Sequence, residues 1–177
     1  MKIATILFAL TVFTLTGCKS QDPAVKAANE AEQQAWFAKA VQALNDREFV
    51  LEADQVTFKR GNFVYVNGST NFVSLHKDRA TIQLAFNSPY AGPNGIGGIT
   101  VDGSVSNIKT STDKKRNLIF SMSVTGVGVS ARVVIQMVNG TNKCSATVYP
   151  NFSSNVITFS GNLYAEEDSN VFKGRSL

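Results

Sequence analysis

Beyond about Arg47, apolar and polar side chains alternate with a period of two, and this restricts the chain more than any other feature does. Ala80, Ile82, Leu84 and Phe86 are separated by Thr81 and Gln83, and Leu118, Phe120, Met122 and Val124 by Ile119, Ser121 and Ser123. Val127, Val129, Ala131, Val133, Ile135 and Met137 continue the series opposite Ser130, Arg132 and Gln136. Successive side chains of a strand point to opposite faces, so the pattern predicts antiparallel strands with one dry face and one wet face. A parallel sheet, covered on both sides, would show continuous apolar runs instead. The expected fold is mainly β, an antiparallel meander whose dry face is buried by forming a curved sheet, a flattened barrel or a sandwich.

Turn chemistry divides the strands. Asn67-Gly68 and Asn139-Gly140 suit tight turns because Asn and Gly tolerate positive φ, and residues 76–78, 113–117 and 150–155 are further connections. The alternation slips around Asp54 and again at Ser106-Asn107, which predicts a β-bulge at each and a sheet bent toward closure. Gly97-Gly98 before Ile99 reads as a bulge opening the next strand. Upstream, Asp22 is placed as the N-cap and Pro23 as the first residue of a helix reaching about Asp46. Its Phe37, Val41 and Leu44 share one face, which must pack on the sheet, and Trp36 beside them reads as a core or interfacial anchor.

The N-terminus carries a different instruction. Lys2, an apolar run over residues 3–15 and the ending Leu15-Thr16-Gly17-Cys18 occur in the order of an export signal. The run is shorter than the roughly 20 apolar residues that span a bilayer. Leu15-Thr16-Gly17-Cys18 resembles the lipobox of bacterial lipoproteins, which implies cleavage before Cys18 and a lipid on its sulfur. The expected organisation is a signal peptide over residues 1–17, an acylated Cys with a polar tether and the start of the helix over 18–35, and one helix-plus-β domain over 36–177. With Cys18 acylated, the second cysteine, Cys144, has no partner for a disulfide, and its position in phase with Ala146 and Val148 makes it a buried, inert thiol. The formal charge of +4 is spread along the chain, and an exported protein does not meet nucleic acid, so no nucleic-acid partner is expected.

Few residues suggest chemistry. His76 is the sole histidine and lies at a hairpin tip, a poor place to hold a catalytic base, so it reads as a solvated turn residue. Between residues 49 and 165 the acids are scattered, with Glu52 and Asp54 the only close pair on a strand face, so neither a metal site nor a cofactor is expected. Lys114-Lys115-Arg116, with Lys109 nearby, form a basic tip that reads as a solvated turn. The most irregular stretch covers residues 87–98, where Tyr90, Asn94 and Gly95 are the candidates for contact with a partner.

Residues 49–54 (FVLEAD) with Val56-Thr57-Phe58, residues 71–75 (NFVSL), residues 92–101 (GPNGIGGITV) and the ending Ser169-Asn170-Val171-Phe172-Lys173-Gly174-Arg175 resemble the domain-of-unknown-function 4251 family of Bacteroides-type lipoproteins. The resemblance runs from about Phe37 to the C-terminus and implies residence in a Gram-negative envelope. It brings no catalytic positions. In such lipoproteins an acidic run after the acylated Cys favours surface display; Lys19-Ser20-Gln21-Asp22 holds one acid, leaving both leaflets of the outer membrane open. The expected function is a non-enzymatic binding or structural module at the outer membrane, with an envelope protein, glycan or lipid as partner. The alternative is a carrier enclosing an apolar ligand, lined by Phe86, Phe120, Met122 and Ile135; an enzyme ranks third.

Overall fold

The computed structural model describes residues 23–85, 98–151 and 153–173. Helix α1 spans Pro23–Asp46, where the sequence places it. The strands follow in order: β1 Glu48–Phe58, β2 Phe63–Tyr65, β3 Phe72–His76, β4 Arg79–Ala85, β5 Gly98–Thr112, β6 Leu118–Gly126, β7 Ser130–Met137, β8 Lys143–Pro150 and β9 Ile157–Ala165. A single 3₁₀ turn, Glu166–Asp168, follows β9. From β3 to β9 each strand pairs antiparallel with the next, and β1 joins the two edges by pairing with both β3 and β9. The result is a closed eight-strand antiparallel barrel with α1 packed on it, the barrel form among the three architectures expected.

Closure follows from the alternation. Phe49, Leu51, Val73, Leu75, Ala80, Ile82, Phe120, Met122, Val133, Ile135, Ala146 and Phe159 point inward and are buried. A bulge between Ala53 and Gln55 against β9 and another between Ser106 and Lys109 against β6 stand at the two predicted slips. At the second, Asn107 takes a φ of 53°, a left-handed conformation that Asn tolerates. On β9, opposite the first bulge, Gly161 closes the seam: a Cβ there would lie 2.0 Å from the carbonyl oxygen of Glu52, so only glycine lets the strands approach.

Three local expectations are corrected. Val127 and Val129 do not extend a strand: the chain turns there, with Gly128 at φ 67° and the amide of Gly126 bonded to the carbonyl of Val129, and Val127 is 84% exposed. Asn67-Gly68 makes a turn but joins no hairpin, because β2 and β3 both lie along β1 and do not pair with each other. Gly98 pairs in regular register with Ala85, so it opens no bulge there; its missing Cβ instead allows close contact with the carbonyl of Leu84.

α1 closes one end of the barrel. Ala40, Ala43 and Leu44 are buried in the barrel core and Phe37 and Val41 pack against it, the two alanines letting the helix come close. Trp36 stands edge-on to Tyr164 of β9 at 5.6 Å between ring centres, making it an anchor between helix and sheet. Residues 23–35 of the helix are exposed. No helix among the described residues is long and apolar enough to cross a membrane.

Candidate functional site

Eight strands enclose an interior that side chains can fill or that can hold one small ligand. Here the two halves differ. Toward α1 the interior is packed, with Phe49 and Phe120 edge-to-face at 5.5 Å and Leu51, Leu75, Met122, Ile135, Met137 and Leu163 all fully buried. Toward the other end it opens into a bowl of about 290 Å³. Ile82, Leu84, Ala131, Val148 and Phe159 are buried along it, and Ile99, Val101, Val129, Pro150 and Ile157 complete the apolar wall. Ser153 and Asn155, on the β8–β9 connection, add the polar groups. The volume stands at the small end of ligand pockets, roughly 300–1,000 Å³, so the bowl suits a chain end or a single ring.

The closed end is polar on its outside. Closing β1 between β3 and β9 sets Glu48 opposite His76 and beside the residue that follows Ala165, namely Glu166. His76 Nδ1 lies 2.6 Å from Glu166 Oε2 and 3.9 Å from Glu48 Oε1, and Lys77 Nζ lies 2.9 Å from Glu48 Oε1. The hydrogen bond to Glu166, with that carboxylate's charge, raises the His76 pKa above the ordinary imidazole value. The hydrogen bond from Lys77 holds Glu48 below the usual carboxylate range. Beside these groups a cleft of about 560 Å³ is lined by Lys39, Asp46, Glu48, Glu166, Glu167 and Asp168, and Lys39 Nζ lies 3.0 Å from Asp168.

From Glu166 onward the chain runs over the outside of β1, β3, β4 and β5 as a strap. Ser169 Oγ donates to Glu52 at 2.5 Å, and the amide of Phe172 donates to the carbonyl of Ser69 at 2.7 Å. Gln83 Nε2 donates to the carbonyl of Phe172 at 2.6 Å. Lys173 and Arg79 both pair with Asp102. Burial pushes the Asp102 carboxyl up, and the hydrogen bonds from Lys173 and Arg79 outweigh it and hold the pKa below the ordinary value. Val50, Phe72, Gln83 and Thr100, outward-facing positions, are therefore buried.

The family profile described as "Domain of unknown function (DUF4251)" matches residues 31–163. The chain belongs to the DUF4251 family. Its fold is similar to the crystal structure of a DUF4251 family protein from Bacteroides eggerthii DSM 20697, at 49% identity and a TM-score of 0.70, over 84% of this chain and 99% of that one. No curated protein matches the chain.

The sequence-predicted residues of this DUF4251 family member fare differently. Cys18, Tyr90, Asn94, Gly95 and Phe86 lie outside the described residues. Phe120, Met122 and Ile135, expected to line a cavity, are instead packed in the core with no more than 1% exposure, because α1 fills that end. The bowl is lined by their counterparts at the opposite end of the strands. Cys144 is buried, which raises its thiol pKa and keeps the sulfur protonated. The basic tip is a capped turn, with Asp113 Oδ1 accepting from the amides of Lys115 at 2.8 Å and Asn117 at 2.9 Å. Glu52 and Asp54 are separated by the bulge, and Glu52 serves the strap. The grouping of Glu48 and Glu166 with His76 is not legible in the sequence, because the three residues lie on separate segments that meet only when β1 pairs with β3 and β9. Their partnership arises from β1–β9 pairing.

Proposed function

We propose that this protein is a lipid-anchored component of the outer membrane whose barrel acts as a non-enzymatic binding module, taking the end of one acyl chain into its open bowl. The observation that carries the reading is the apolar bowl itself: a rigid antiparallel wall around a space that Phe159 and its neighbours floor but leave unfilled. The bowl's lining includes no titratable side chain among the described residues, so it offers burial and shape rather than proton transfer. Burying a methylene contributes about 0.8 kcal/mol, so a few carbons of a chain end give measurable affinity. The lipobox at Cys18 supports the anchor, and the exposed first half of α1 supports a spacer between anchor and barrel.

The test uses the Cys18→Ser protein, which removes the lipid and with it the need for detergent. Titrating medium-chain fatty acids into it is expected to give saturable one-to-one binding, and Ala131→Leu, which fills the bowl, is expected to abolish it while leaving the circular dichroism unchanged. No saturable binding by the parent, or equal binding by the filled variant, would sink the carrier reading. For the anchor, wild-type protein is expected in the outer-membrane fraction with lipid attached, and the Cys18→Ser protein is expected to lose both.

A further inference from the structure

We propose that Glu48, His76 and Glu166 form a binding site for one divalent transition-metal ion of the zinc type. The inference is independent of the bowl and its ligand.

The argument begins with the barrel seam. On β3, on β1 and at the start of the 3₁₀ turn that follows β9, His76, Glu48 and Glu166 occupy consecutive places in a row across three adjacent chain segments, all at the closed end. One donor atom from each lies within 4.8 Å of the other two. Ligands of a tetrahedral zinc ion, at roughly 2.0–2.2 Å from the metal, are separated by about 3–4 Å. The two measured separations, 2.6 and 3.9 Å, bracket that value, so the site needs only side-chain adjustment to close around an ion. Imidazole nitrogen with carboxylate oxygen is a donor set that zinc accepts, with a fourth position left for water.

Two carboxylates brought side by side across a strand pair repel each other, and here each has its own cationic partner, His76 bonding Glu166 and Lys77 pairing with Glu48. A divalent ion would replace the bridging proton of His76 and neutralise both acids. The backbone holds the donors in place without the ion: the amide of Lys77 donates to the carbonyl of Arg47 at 2.7 Å, tying the residue before Glu48 to the residue after His76. Access is open from two sides, through the acidic cleft beside α1 and through the groove under the strap, because Glu166 lines both. Lys77 is the competitor, and its removal should free Glu48 for the metal.

The experiment titrates Zn²⁺ into chelator-treated, untagged Cys18→Ser protein by isothermal calorimetry, and follows the ring nitrogens of His76 by ¹⁵N NMR. As the chain has a single histidine, the ring signals report this site directly. Expected results are one saturable ion per chain, movement of the Nδ1 signal on loading, affinity weakened on the order of tenfold or more in His76→Ala and in Glu166→Gln, and affinity strengthened in Lys77→Met. Absence of saturable binding, or equal affinity in the folded Glu48→Gln/Glu166→Gln double variant, would overturn the proposal. Loading that leaves the His76 ring signals unmoved would overturn it as well, whatever the variants' stability.

Discussion

At one end of the barrel Ala40, Ala43 and Leu44 of α1 come down on Phe49, Leu51 and Leu163; at the other, Ile82, Leu84, Val148 and Phe159 surround open space. Both ends are built from the same strands with the same alternation. What differs is the volume brought to each. A helix with two small residues on its buried face can reach into the barrel and complete the packing, and close-packed interiors tolerate neither gaps nor excess. Among the described residues no helix enters the bowl. The outer surfaces differ in the opposite sense: the closed end carries Glu48, His76, Lys77 and Glu166, with the cleft acids Asp46, Glu167 and Asp168 beside them.

The comparison breaks first if the packed half proves tolerant. Phe49→Ala should destabilise the protein by about 3–5 kcal/mol in urea unfolding, and Leu84→Ala, whose side chain already borders open space, by only about 2 kcal/mol. Equal losses would mean that the two halves are packed alike. A second pair of variants sharpens the contrast by adding volume. Ala146→Leu, at a fully buried position, should cost about 1–3 kcal/mol, whereas Ala131→Leu, in the bowl wall, should leave stability within about 0.5 kcal/mol; the same denaturation curves decide it.

The strap offers a smaller effect with a definite sign. Asp102 has a folded-state pKa below its unfolded value, so its contribution is complete above the ordinary aspartate pKa of about 3.9 and is lost as pH falls through the lower folded value. Protection of the Phe172 amide, its exchange rate relative to the intrinsic rate at the same pH, should therefore fall below about pH 4, and Asp102→Asn should show weaker protection already at neutral pH with a flatter acid response. The smallest effect is expected at the basic tip, where Lys115→Ala should leave the melting curve unchanged because the turn is held by Asp113 rather than by the lysine side chain.

Much of the fold was legible before any coordinates. The bulges after Ala53 and Ser106 announced themselves because a period of two has no tolerance for an extra residue: every later side chain changes face until the count is restored. The α1 stripe was legible because Phe37, Val41 and Leu44 recur at helical spacing. Val127 and Val129 were misplaced because they share the odd-numbered phase of Ala131, Val133, Ile135 and Met137, so alternation alone runs β7 back into the turn; the change from even to odd phase after Val124 is what marks the boundary. Cavity residues were misplaced for a related reason. Period two tells which side chains face inward, and it does not tell how far along the barrel axis another element reaches.

By itself, then, the sequence determined an antiparallel, one-face-dry β domain with a helix to bury, and a lipobox-like start at Cys18. Only the tertiary structure decided which interior half is filled and which residues meet at the seam. His76 and Glu166 are separated by 90 positions in the chain and become hydrogen-bonded neighbours only when β1 pairs with β9. Local propensity cannot encode that meeting, because it depends on the register of the β1–β9 seam, which is set by the summed packing of the inward-facing side chains around the barrel.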